Sequence, residues 1–111
     1  DTLSLHDALP ISVDSVVSAG CIVSGGTVRR CLLFNDVRVN SYSLVEDSIL
    51  LPGVVVGRRA RLRKVIVADR CKIPEGLVVG EDRELDAQRF YVSRGGVTLV
   101  TPAMLQALGS R

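Results

Sequence analysis

Five cations fall within seven residues at Arg58, Arg59, Arg61, Arg63 and Lys64, and they are the side chains best suited to chemistry in this sequence. Clustered guanidiniums suit an anion, because each planar fork donates two parallel hydrogen bonds to a phosphate or carboxylate. Part of the cluster is an ordinary solvated face. Arg63 and Lys64 each have an acidic residue 17 positions earlier, Glu46 and Asp47, and Arg58 has Glu75 17 positions later. Arg59 and Arg61 have no acidic residue at that spacing and alternate with Ala60 and Leu62, which puts both on one outer face of a strand. Arg59, Arg61 and, further along, Arg70 are therefore the candidate anion-binding residues.

Other chemistries find no support. The only histidine, His6, lies in the opening DTLSLHDALPI, Asp1 to Ile11, which looks like the translation of a sequencing-adapter oligonucleotide. With that stretch set aside as non-native, no Ser-His or Cys-His pair and no His-containing metal site can be built. Cys21, Cys31 and Cys71 form no CxxC pair and read as free thiols of a reducing compartment. No phosphate loop of either standard glycine spacing occurs. The carboxylate pairs Glu46-Asp47 and Glu81-Asp82 belong to charge ladders and to a helix start rather than to an acid-base couple. A net charge of +2 and 4% aromatic residues argue against a nucleic-acid surface. Apolar runs such as Ile49 to Leu51 and Val54 to Val56 are far too short to span a membrane, so a cytoplasmic protein is expected.

Whatever positions the arginines repeats every 17 residues. Val16, Leu33, Leu50 and Val67 form one column, Ile22, Val39, Val56 and Ile73 a second, and Val28, Val45, Leu62 and Val79 a third. Within a coil the steps are 6, 6 and 5, which scatter around a helix of 3.6 residues per turn but suit a three-sided solenoid. Each aliphatic side chain then points inward from a short strand, and the residue 17 later stacks on it about 4.8 Å away. The columns Ser18, Asn35, Pro52, Asp69 and Ala19, Asp36, Gly53, Arg70 supply a corner, and Gly25-Gly26, Gly57 and Gly76 punctuate others. Arg29, Glu46, Arg63 and Arg30, Asp47, Lys64 give two outer ladders of alternating sign.

The expected organisation is a non-native segment at 1–11, one solenoid of about four coils at 12–80, and a cap at 81–111. In the cap, Asp82 starts a short helix running to Arg89, Gly95-Gly96 turns the chain, Val97 to Val100 form a strand, and Thr101-Pro102 opens a last helix that stops at Gly109. Solenoids need covered ends, and this tail is the natural lid. The fold class is all-β with a short α/β cap. The opening segment is expected to be loose.

From Val16 onward the strings VVSAGCIVSGG, LLFNDVRVNSYSLVEDSILLP, IPEGLVVGED, DAQRFYVS and LVTPAML resemble the C-terminal domain of bacterial glucose-1-phosphate adenylyltransferase, over essentially all of residues 13–108. The resemblance implies a left-handed parallel β-helix of hexapeptide type. It also implies a catalytic domain preceding this one, absent here, that binds ATP and glucose 1-phosphate with Mg²⁺ and makes ADP-glucose for glycogen synthesis. No cofactor and no catalytic residue would then belong to this fragment. The implied partners are the missing catalytic domain, further subunits of a homotetramer, and a phosphorylated metabolite that regulates the enzyme. Arginines that some members carry in the last helix correspond here to Pro102 and Gln106, which leaves Arg59, Arg61 and Arg70 as substitutes.

Two other readings compete. A hexapeptide acyltransferase uses a histidine general base, which this chain lacks outside Asp1 to Ile11. A free-standing scaffold needs no chemistry at all.

Overall fold

The computed structural model describes residues 11–109. The chain lays down β1 (Ile11–Val13), β2 (Val16–Val17) and β3 (Ile22–Val23) in a first coil and β4 (Thr27–Arg29), β5 (Leu32–Leu33) and β6 (Arg38–Val39) in a second. β7 (Leu44–Glu46), β8 (Ile49–Leu50) and β9 (Val55–Val56) make a third, and β10 (Arg61–Arg63), β11 (Val65–Val67) and β12 (Lys72–Ile73) a fourth, before β13 (Val78–Val79). Three sheets result, ordered β1-β4-β7-β10-β13, β2-β5-β8-β11 and β3-β6-β9-β12, all parallel. This is a parallel β-solenoid of about four turns. The expectation of a loose opening concerns residues 1–10, outside the described residues; Ile11, assigned to that segment, is the first residue of β1.

From the second coil on, the aliphatic columns point inward as the spacing predicts. Leu33, Leu50 and Val67, then Val39 and Val56, then Val28, Val45, Leu62 and Val79 are at most 1% exposed, and Ile73 is 3% exposed. Burying each contributes about 1.5–3 kcal/mol before entropy is subtracted. A second inward set shares the core, two residues before each ladder position: Cys31, Ser48 and Val65; Val37, Val54 and Cys71; Ser43 and Ala60. The two serines are buried with their hydroxyls satisfied. Ser43 Oγ donates to Gly57 O at 2.7 Å, and Ser48 Oγ donates to Glu46 O at 2.7 Å while accepting from Val65 N.

The first coil departs from the expected register. Val17 pairs with Leu33 and Val23 with Val39, a spacing of 16, so Val17 and Val23 hold the ladder positions. Val16 and Ile22, expected inside, are 63% and 49% exposed. The cause is the corner at Gly25-Gly26, which takes one residue fewer than its counterpart at Ser41-Tyr42. Gly25 adopts φ +75°, and a Cβ on Gly26 would lie 2.9 Å from Val39 Cγ1 and 3.0 Å from Asn40 O, so the shortened turn leaves no room for a side chain at Gly26.

Each corner is closed by one residue in the left-handed region, and these too form columns. Asp14, Arg30, Asp47 and Lys64 line one edge, Gly20, Asp36, Gly53 and Arg70 the second, and Gly25, Tyr42, Arg59 and Gly76 the third.

The cap follows the expected outline and adds a strand. Asp82 Oδ1 accepts from Leu85 N at 3.1 Å to start α1 (Arg83–Arg89), and Thr101 Oγ1 accepts from Met104 N at 3.3 Å to start α2 (Pro102–Gly109). Between them lie β14 (Tyr91–Val92) and β15 (Thr98–Val100). β15 pairs in parallel with β11 and extends the second sheet by one rung, while β14 runs antiparallel along its outer edge. Met104, Leu105 and Leu108 pack on the core.

Candidate functional site

Arg59 sits on the third corner at φ +60°, followed by buried Ala60 and by Arg61, the first residue of β10. A corner residue projects away from all three faces, which leaves its guanidinium free to swing over its neighbours. Tyr42, the corner residue of the coil below, lies beneath it: the Arg59 guanidinium carbon is 5.5 Å from the ring centroid and that of Arg58 is 5.8 Å away. Tyr42 is 69% exposed, so the ring is a surface platform.

Arg59 and Arg61 both have carboxylate partners, which corrects the expectation that neither would. Arg59 Nη1 lies 3.2 Å from Glu75 Oε2, and Arg61 Nε lies 2.8 Å from Glu81 Oε2. It is Arg59, and not Arg58, that makes the ion pair with Glu75. Strict 17-residue counting missed both pairs. Glu75 is 16 residues beyond Arg59, Glu81 is 20 beyond Arg61, and long flexible side chains reach diagonally across a 4.8 Å rung. All four side chains are exposed, so solvent weakens the attraction and an incoming anion can displace either carboxylate.

Arg70 does not join them. It closes the second corner at φ +58°, above Asp36 and Gly53, with the whole width of the β3-β6-β9-β12 sheet between it and the Arg59 corner. The structure thus gathers Arg58, Arg59, Tyr42 and Glu75, sets Arg61 beside them, and leaves Arg70 apart. Tyr42 is the participant that the sequence reading omitted; its place 17 residues before Arg59 was the available signal.

The first corner shows the charge ladder realised. Arg30 Nε and Nη2 donate to Asp47 Oδ1 and Oδ2 at 2.7 and 3.3 Å, and Arg29, Glu46 and Arg63 are register partners on the adjoining strands. The hydrogen bond from Arg30 holds the Asp47 carboxyl below its ordinary value, with Arg63 and Lys64 adding to the effect.

Among the described residues no group of three or more His, Cys, Asp or Glu is placed to hold a metal ion. All three cysteines are free thiols. Burial pushes Cys71 up to about 11 from 9.0, and burial likewise raises Cys31. The Cys71 effect stabilises the fold below the ordinary thiol value and is lost as pH climbs from about 9 through 11, because only the unfolded chain ionises in that window. At pH 8 native Cys71 should react with Ellman's reagent at least about a hundred-fold more slowly than in denaturant, the factor carried by two pH units of thiolate depletion. Equal rates in both states would contradict its inward placement.

A family model described as GlmU-like, C-terminal hexapeptide matches residues 5–100. Glucose-1-phosphate adenylyltransferase of Rhodospirillum rubrum is 63% identical over 95 residues, covering 86% of this chain and 22% of the relative. The enzymes of that name from Nitrosospira multiformis and Albidiferax ferrireducens are 61% identical over 94 residues and 59% identical over 98, covering 85% and 88% of this chain. The similarity falls in the C-terminal region of those proteins. The chain spans 22–23% of the length of these curated relatives.

Proposed function

The chain belongs to the GlmU-like C-terminal hexapeptide family, and we propose that it is the regulatory and oligomerising C-terminal part of a glucose-1-phosphate adenylyltransferase. The observation that carries this reading is the identity of 59–63% with enzymes of that name over nearly the whole described chain. In the reaction a phosphate oxygen of glucose 1-phosphate attacks the α-phosphorus of ATP, the α–β anhydride bond breaks, and pyrophosphate leaves with ADP-glucose as product. Bound in the complete enzyme, Mg²⁺ would supply neutralisation of phosphate charge in such a transfer. The residues described here contribute a stiff mount for the rest of the polypeptide and an anion-responsive corner, and the fragment alone is inactive.

A phosphorylated metabolite recognises that corner by competing with Glu75 and Glu81 for Arg59 and Arg61, since a phosphate offers more charge and more acceptor oxygens than one carboxylate. Arg70 serves a separate contact, reached by a ligand or subunit at the other edge of the β9-β12 sheet.

The complete reading frame upstream of the codon for Ser12 provides the test. The enzyme expressed from it should release pyrophosphate from ATP and glucose 1-phosphate; a start codon just upstream, or no such release, would end the adenylyltransferase reading. In the active enzyme, Arg59→Ala with Arg61→Ala should raise the half-maximal concentration of a phosphorylated sugar effector by about 10-fold or more, the value of one or two charge-assisted hydrogen bonds. Activation and inhibition curves that superimpose on the parent's would remove the effector role from this corner.

A further inference from the structure

One face of the solenoid is apolar on the outside as well as the inside. Along the second sheet the outward residues are Val16, Leu32, Ile49, Ile66 and Leu99, each the register partner of the next, with Tyr91 paired to Leu99 at the end. They alternate with the inward ladder of Leu33, Leu50, Val67 and Val100, and they are exposed or half-buried. The other two faces carry charge at equivalent places: Arg29, Glu46 and Arg63 on one, Arg38 and Lys72 on the other. A six-rung outer row without a charge is not a solvated face, and rows of this kind mark contact surfaces.

The edge beside this row indicates what covers it. The corner column Asp14, Arg30, Asp47, Lys64 alternates strictly in sign over four rungs. Reversed end to end, such a column meets its own complement at every rung. We propose that this face binds a second copy of the chain, with the two solenoid axes antiparallel and related by a two-fold axis lying between the Leu32 and Ile49 rungs. That operation sets Val16 on Ile66 and Leu32 on Ile49. It brings Asp14 to Lys64 and Arg30 to Asp47 across the interface. On the opposite edge it brings Gly20 to Arg70 and Asp36 to Gly53, so no like charges meet. Packing the copies with axes parallel would instead set Lys64 toward Arg70. The ion pair within each chain does not exhaust Arg30 or Asp47, because a guanidinium has five donors and a carboxylate about four acceptor sites.

Four overlapping rungs and one face width make a flat footprint of roughly 19 by 16 Å. This is well under the ~800 Å² per partner of a standard interface, so the isolated chain pairs weakly. The inference gives a surface and an orientation to the assembly role proposed above, but it stands on strand register and not on the adenylyltransferase reading.

Sedimentation equilibrium of the 111-residue chain from about 10 μM to about 1 mM tests it, a range suited to the weak class of interface. The expected result is a rise from the 11.9 kDa monomer toward twice that mass, suppressed by added salt. Ile49→Lys should weaken association at least about 10-fold, as should Asp47→Arg, which sets like charges across the two-fold. The exchanged pair Arg30→Asp with Asp47→Arg should restore it, since the column remains its own complement on reversal. Circular dichroism confirms that each variant is folded. A chain monomeric throughout, a dimer indifferent to Ile49→Lys, or an exchanged pair no better than Asp47→Arg alone would each overturn the proposal. None of these outcomes bears on the pyrophosphate-release assay.

Discussion

Asp86→Ala lowers the stability of the chain by about 3–5 kcal/mol, the cost of stranding one partner of a buried ion pair. Asp86 is a carboxylate only 2% exposed, and it joins the cap to the last coil. Its Oδ2 accepts from Gly80 N at 2.8 Å and its Oδ1 from Arg89 Nη2 at 3.0 Å, and the same Nη2 donates to Val78 O at 2.8 Å. Without the carboxylate, the Arg89 charge loses its counter-ion in a largely buried place where Nε already has no partner, and the Gly80 amide is orphaned as well. Asp86→Asn keeps an acceptor and removes the charge, so its cost falls between the parent and Asp86→Ala. Urea unfolding gives the totals, and hydrogen exchange at Gly80 and Phe90 locates the loss in the joint. A change under about 1 kcal/mol for Asp86→Ala would mean that the cap docks by other means.

Leu50→Ala costs about 2–5 kcal/mol, the range for deleting a buried leucine side chain that its neighbours cannot replace. Leu50 is fully buried and lies between Leu33 and Val67 as their register partner. Rungs are held at the strand spacing by backbone hydrogen bonds, so the stack cannot collapse along its axis to fill the gap. The adjacent residue Ile49 points outward, and Ile49→Ala measured at dilute, monomeric concentration should cost under about 1 kcal/mol. A loss at Leu50 no larger than that at Ile49 would refute the assignment of inner and outer sides.

The aliphatic columns made the solenoid legible because Val, Ile and Leu were counted at a fixed period, and that period is set by the geometry of a coil. The same counting missed the second inward set. Cys31, Ser43, Ser48 and Ala60 are small or polar and do not register as core until the neighbouring carbonyls that satisfy the serines are seen. It misplaced Val16 and Ile22 because a fixed period has no room for a corner that is one residue short, even though Gly25-Gly26 announced a tight turn. At the Arg59 corner the nearness of Arg58, Arg59 and Arg61 was legible, whereas Tyr42, the separation of Arg70 and the ion pairs were not. Column arithmetic places Cα atoms, whereas Glu75 and Glu81 reach Arg59 and Arg61 through side chains several bonds long.

The direction of one strand bears on a hazard common to stacked coils. Parallel rungs at uniform spacing are a growth template: an open end offers unpaired amides to the next coil of any identical molecule, which is how fibrils elongate. β14 runs against the direction of every rung below it and occupies the outer edge of β15. A molecule arriving with parallel polarity finds a reversed hydrogen-bond pattern there, with α1 leading into that strand. The cap therefore breaks the uniform template: a further rung with the direction of those below would have to pair antiparallel with the two-residue β14, not in the parallel pattern that the coils repeat.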